Sequence, residues 1–101
     1  MVELTIPRLA GTRDALLALL AEHDVPENLA GTNVVIICRD VVASSASYVD
    51  ELVLQVLDVR AAAELVLVSP SEQFRDRVVE AAERRGLTDR VRVTTAVGIP
   101  G

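Results

Sequence analysis

Short apolar runs that alternate with stretches of helical spacing constrain this chain more than any other feature. VVIIC at 34–38, ELVLV at 64–68 and VRVTT at 91–95 are rich in β-branched residues, and VELTI at 2–6 precedes them. Strands that alternate with helices need crossover connections, and crossovers favour parallel pairing. The order βαβαβαβ therefore predicts a small α/β domain, with about four mostly parallel strands and three helices. The 101 residues suit one domain, 1–101, with one core.

The patterns within these runs differ. Glu3 and Thr5 alternate with Val2, Leu4 and Ile6, which predicts a half-buried strand. The run at 34–38 has no alternation and predicts a central strand covered on both faces. The last run alternates and predicts an edge, with a short tail at 96–101. The first helix is expected to open at Thr12 as N-cap, with Ala15, Leu16, Leu19, Leu20 and His23 on its period and Leu17 widening the stripe. The second is expected over 46–58, with Val49, Leu52, Val53, Val56 and Leu57 as its buried stripe and Asp50, Glu51, Gln55 and Asp58 facing away. Leu54 falls on that outer side. The third is expected to open with Ser69 as N-cap, Pro70 at the first position and Glu72 completing a capping box. Phe74, Val78, Ala81 and Ala82 form its stripe, and Gly86 ends it.

Composition removes several function classes. The net charge is −5, where a nucleic-acid binder would show a basic face. All positive charge is arginine, so Schiff-base and P-loop lysine chemistry are excluded. Cys38 is the only cysteine, which excludes an intrachain disulfide and predicts a small buried hydrophobe. His23 is the only histidine and has no co-ligand in the sequence, so a structural position near the helix C-terminus is expected and no metal or cofactor. The start, MVELTIPR, lacks the pattern of a signal peptide, and the apolar runs fall short of the ~20 residues that span a bilayer. A cytoplasmic protein without membrane contact is expected.

In parallel sheets, ligands sit beyond the carboxyl ends of the strands. The three turns there, at 7–12, 39–47 and 69–70, carry no GxGxxG or GxxxxGK[ST] pattern. A two-component receiver domain would use Asp40 as phosphoacceptor. That reading needs an acidic pair after the first strand and a lysine, and the chain has neither. What remains is the serine cluster Ser44, Ser45 and Ser47. Ser47 stands three residues before Asp50 and is expected to cap the second helix. A helix N-terminus also tolerates a phosphate, through its free N–H groups and dipole.

These residues carry a family resemblance. VVIICRDVVASSASYVDEL resembles the strand–turn–helix segment of STAS domains, the anti-sigma factor antagonist fold. ELVLVSPSEQFRDRVVEAAERRGLTDRVRVTTAV is similar to the family's second half. The STAS-like group of uncharacterised proteins has a turn of the form S-x-S-F-A-D-E-L, matched here by Ser45, Ala46, Ser47, Tyr48, Val49, Asp50, Glu51 and Leu52. Thr12-Arg13 echoes the S/T-R pair of that group's upstream helix. Ser45 stands where the antagonist family has an acid, and Tyr48 where it has a glycine.

The resemblance implies a non-enzymatic regulatory module in bacterial signalling and transcription control. Its partner would be a GHKL-type serine kinase or anti-sigma factor, in a partner-switching arrangement. Ser47 matches the phosphorylated serine, with Ser45 as second candidate. The expected partner surface comprises Ser44, Tyr48, Asp50, Glu51, Leu54 and Gln55. The alternative is a structural or homo-oligomeric accessory domain without a phosphoswitch. A small enzyme or nucleotide binder at the strand ends is a third class, which predicts thermal stabilisation by nucleotides.

Overall fold

The computed structural model describes residues 1–94. Four strands form an all-parallel sheet: β1 (Val2–Thr5), β3 (Asn33–Ile37), β5 (Glu64–Val68) and β6 (Val91–Thr94), in the spatial order β1-β3-β5-β6. Three helices, α1 (Arg13–Glu22), α2 (Ala46–Val53) and α3 (Glu72–Arg84), connect them. The expected α/β architecture is thus present. The end of the last run, Thr95, and the tail at 96–101 lie outside the described residues.

Each strand pairs with the next main strand in the chain, so the sheet always steps in one direction. Right-handed crossovers then place every helix on the same face. The burial pattern agrees. Leu4, Val34, Ile36, Leu65 and Leu67 join the stripes of α1, α2 and α3 in one apolar core. The alternate residues Ile37, Val66 and Val68, with Val35, form a separate small cluster on the opposite face. β3 is central, paired with β1 from Val2↔Val34 to Thr5↔Ile37 and with β5 from Asn33↔Glu64 to Ile37↔Val68. β6 is an edge, as its alternation predicts.

The helix starts show where local pattern and tertiary structure part. Thr12 caps α1, its Oγ1 accepting from the Ala15 N–H at 3.0 Å. The stripe of α1 is narrower than its period suggests: Leu16 and Leu20 are buried, while Ala15, Leu17 and His23 are exposed. α3 does not begin with a capping box. Ser69 adopts φ +52° and its N–H bonds to the Thr94 carbonyl of β6, so the chain is still leaving the sheet there. Ser71 caps instead, accepting from the Phe74 N–H at 3.1 Å. The stripe of α3 is the expected one, and Gly86 ends it at φ +68°, where a side chain would be strained.

α2 is shorter than its apolar stripe. It is regular to Val53 and then runs as a π-helical segment, Leu54–Val59. The wider π turn still buries Val56 and Leu57, so the stripe continues through the change of pitch. Cys38 is buried, its thiol donating to the Ile36 carbonyl at 3.3 Å. Burial pushes that thiol up to about 12, which keeps it protonated. Among the described residues, no helix is long and apolar enough to cross a membrane.

Candidate functional site

The turns at 7–12 and 39–47 are not plain loops. Each contains a two-residue strand, β2 (Leu9–Ala10) and β4 (Ala43–Ser44), and the two pair in parallel. The Val42 and Ala43 N–H groups donate to the Arg8 carbonyl at 2.8 and 3.2 Å. The Ser45 N–H donates to the Ala10 carbonyl at 2.9 Å. This small second sheet ties together the turns that follow β1 and β3, and it fixes where α2 begins. Its sequence signal is slight: two apolar residues between Arg8 and Gly11, and a single alanine before three closely spaced serines.

Ser45, not Ser47, is the N-cap of α2. Its Oγ accepts from the Tyr48 N–H at 3.0 Å and donates to the Gly11 carbonyl at 2.8 Å. The hydroxyl thus satisfies one orphan donor of the helix and one carbonyl of the neighbouring turn. Ser45→Ala should destabilise the domain by about 1–2 kcal/mol, the usual value of a cap plus one cross-turn hydrogen bond. Urea unfolding followed by circular dichroism measures it, and an unchanged midpoint would show that the cap is dispensable.

Ser47 is the second residue of the helix and its side chain is exposed. It lines a shallow hollow with Gly11, Thr12, Arg13 and Asp14. Within the described residues, the Ala46 and Ser47 N–H groups make no hydrogen bond, as expected for a helix start. Ser44 is half-buried, and its carbonyl accepts from Arg77 Nη1 of α3 at 2.8 Å.

The remaining expected surface residues are less accessible than their spacing suggests. Tyr48 is 0% exposed and belongs to the core. Its Oη is buried without a hydrogen-bond partner among the described residues. Burial pushes the phenol up to about 12. Glu51 is 8% exposed, where an outward position was expected. It accepts from Arg13 Nη1 at 3.0 Å and from Gln55 Nε2 at 2.8 Å. Asp50 is the centre of a charge cluster. Arg85 reaches it at 2.8 Å, Arg13 at 3.3 Å and Arg84 at 3.6 Å. Burial raises the Asp50 pKa, but hydrogen bonds and charge from Arg85 and Arg13 outweigh this and hold the carboxyl below its ordinary value. Leu54 and Gln55 are half-buried.

The cause is the position of α2 between α1 and α3. A helix with a neighbour on each flank buries those flanks as well as its sheet-facing stripe. The exposed residues of the turn are Arg39, Asp40, Val42, Ala43, Ala46 and Ser47. Asp40 is exposed just past the end of β3. His23 is an exposed C-cap, and no group of three metal-ligating side chains occurs among the described residues. No known protein family, curated protein or solved structure matches this chain.

Proposed function

We propose that this chain is a non-enzymatic, cytoplasmic regulatory module of the STAS-like kind, which binds a protein partner through the turn at the N-terminus of α2. By the resemblance, the partner is a GHKL-type serine kinase or anti-sigma factor. The observation that carries the reading is the division of labour between two serines. Ser45 is committed to structure at both its donor and acceptor positions. Ser47 offers an exposed hydroxyl at a helix N-terminus, one turn ahead of Asp50 and Glu51.

A phosphate on Ser47 would add about −1.5 to −2 charge. The first-turn N–H groups and the helix dipole would accept it. Arg13 lines the same hollow and already bridges Asp50 and Glu51. The phosphate would therefore compete for that guanidinium and turn the exposed rim of the helix strongly negative, which repels an acidic partner surface.

The test is capture from native lysate with Ser47→Ala and Ser47→Asp as bait, alongside intact-mass measurement of the native protein. Ser47→Asp should weaken capture by roughly tenfold, equivalent to about 1.4 kcal/mol, while Ser47→Ala preserves it. Equal capture by both variants, with no phosphorylated species, would remove the switch. Light scattering at micromolar concentration separates this reading from a homo-oligomeric accessory domain.

A further inference from the structure

The chain has ten cationic side chains, all arginine. Eight have internal partners. Arg13, Arg84 and Arg85 converge on Asp50, and Arg75 and Arg92 pair with nearby carboxylates. Arg60, Arg77 and Arg90 donate to backbone carbonyls. Only the Arg8 and Arg39 side chains make no hydrogen bond or ion pair among the described residues, and both residues are exposed.

These two arginines stand on adjoining turns. Arg39 follows β3 and Arg8 follows β1, and β1 and β3 are paired strands. The Arg8 carbonyl is the one that accepts from Val42 and Ala43. The same two turns expose Leu9 at 70% and Val42 at 68%, the largest exposures of any bulky apolar side chain apart from Met1 among the described residues. Between them lies a hollow lined by Leu9, Ala10, Gly11, Ala43, Ser44 and Ser45, left open because most of these side chains are small. These turns carry two arginines and one acid, Asp40, in a chain whose net charge is −5.

We infer that this patch, at the carboxyl ends of β1 and β3, docks a partner segment in which aliphatic side chains alternate with carboxylates. The aliphatic groups would cover Leu9 and Val42 and enter the hollow, and the carboxylates would meet Arg8 and Arg39. Desolvated apolar contact at the centre with opposite charge at the rim is the composition of a protein interface. Two cations beside an aspartate are too few for a nucleic-acid backbone, whose recognition needs several phosphate contacts. The backbone bonds between the turns hold the patch in place before any partner arrives, which lowers the ordering cost of binding. The inference rests on the reading of the chain as a protein-binding module, and it supplies the chemistry of the partner.

The test is an amide-shift titration of the full chain with a short synthetic peptide that alternates glutamate with leucine. Parallel titrations use the lysine–leucine counterpart, a glutamate–serine peptide and a short single-stranded DNA. The expected result is saturable shifts at Leu9, Arg39, Val42 and Ala43 with the glutamate–leucine peptide alone. Affinity should fall about three- to tenfold in the R8Q/R39Q double variant, and more than tenfold in L9S/V42S. All four side chains are exposed, so an unchanged thermal midpoint verifies that these variants fold.

Shifts elsewhere, no saturable binding, unchanged affinity in R8Q/R39Q, or preference for the DNA would each overturn the inference. So would loss of the patch's shifts on dilution without any peptide, which would identify a second copy of the chain as the occupant. If the glutamate–leucine peptide docks on the patch yet lysate capture does not distinguish Ser47→Asp from Ser47→Ala, the patch stands and the serine switch falls. If capture distinguishes them and no peptide docks, the patch falls and the switch stands.

Discussion

Tyr48→Phe is expected to stabilise the domain by about 1 kcal/mol, a rise of roughly 4–8 °C in thermal midpoint for a chain of this size. A buried hydroxyl without a partner costs its lost hydration and returns nothing. Tyr48 Oη is in that position, inside a core otherwise built from aliphatic groups, Cys38 and Phe74. Phenylalanine removes the oxygen and keeps the ring. Tyr48→Ala is the opposite case: it deletes the ring as well and should cost about 3–5 kcal/mol, the usual range for an aromatic truncated in a core. Thermal and urea unfolding of the three proteins test both statements. A phenylalanine variant less stable than the parent would mean that an internal water satisfies the hydroxyl.

Asp50→Asn should destabilise the fold by about 2 kcal/mol. Loss of one partner in a fully buried ion pair typically costs about 3–5 kcal/mol, whereas an exposed pair contributes about 0–1. The Asp50 side chain is 20% exposed and serves arginines from two other helices, which places it between these limits. Asparagine keeps the shape and one acceptor but leaves three guanidinium groups without their shared charge.

The pH dependence has a definite sign. The folded state holds the Asp50 pKa below its ordinary 3.8. The stability this group supplies is therefore complete above the unfolded pKa, and it is lost as pH falls through the lower folded value. Acid unfolding of the parent should include this component below about pH 4, and Asp50→Asn should lack it. Stability curves that run parallel below that pH in the two proteins would show that the carboxylate is not held by its arginines.

The strands and the stripes of α2 and α3 were legible because burial leaves its mark locally. ELVLV at 64–68 is β5 residue for residue, and Val49, Leu52, Val53, Val56 and Leu57 are all buried. The serines were not legible, because their roles are set by distant backbone. Ser45 becomes the cap through bonds to Ala10 and Gly11, more than thirty positions away. Ser71 becomes the cap of α3 because Ser69 is still bonded to β6. Tyr48 and Glu51 read as outward on a helix with one buried stripe, but α2 has helices on both flanks. The pairing of β2 with β4 was missed because two residues are too few to show a period.

The one-directional strand order also bears on how the domain is made. The main strands lie side by side in their order along the chain, β1, β3, β5 and β6, so each leaves the ribosome after the neighbour it pairs with. The finished edges are protected in the same way: both are four residues long, β1 carrying Glu3 and Thr5 and β6 carrying Arg92 and Thr94. A nascent chain halted before Val91 has no such protection on its last strand. It presents ELVLV as an open, aliphatic edge that any similar strand can extend. The four residues of β6 thus cover the open edge of β5, and among the described strands they are the last to leave the ribosome.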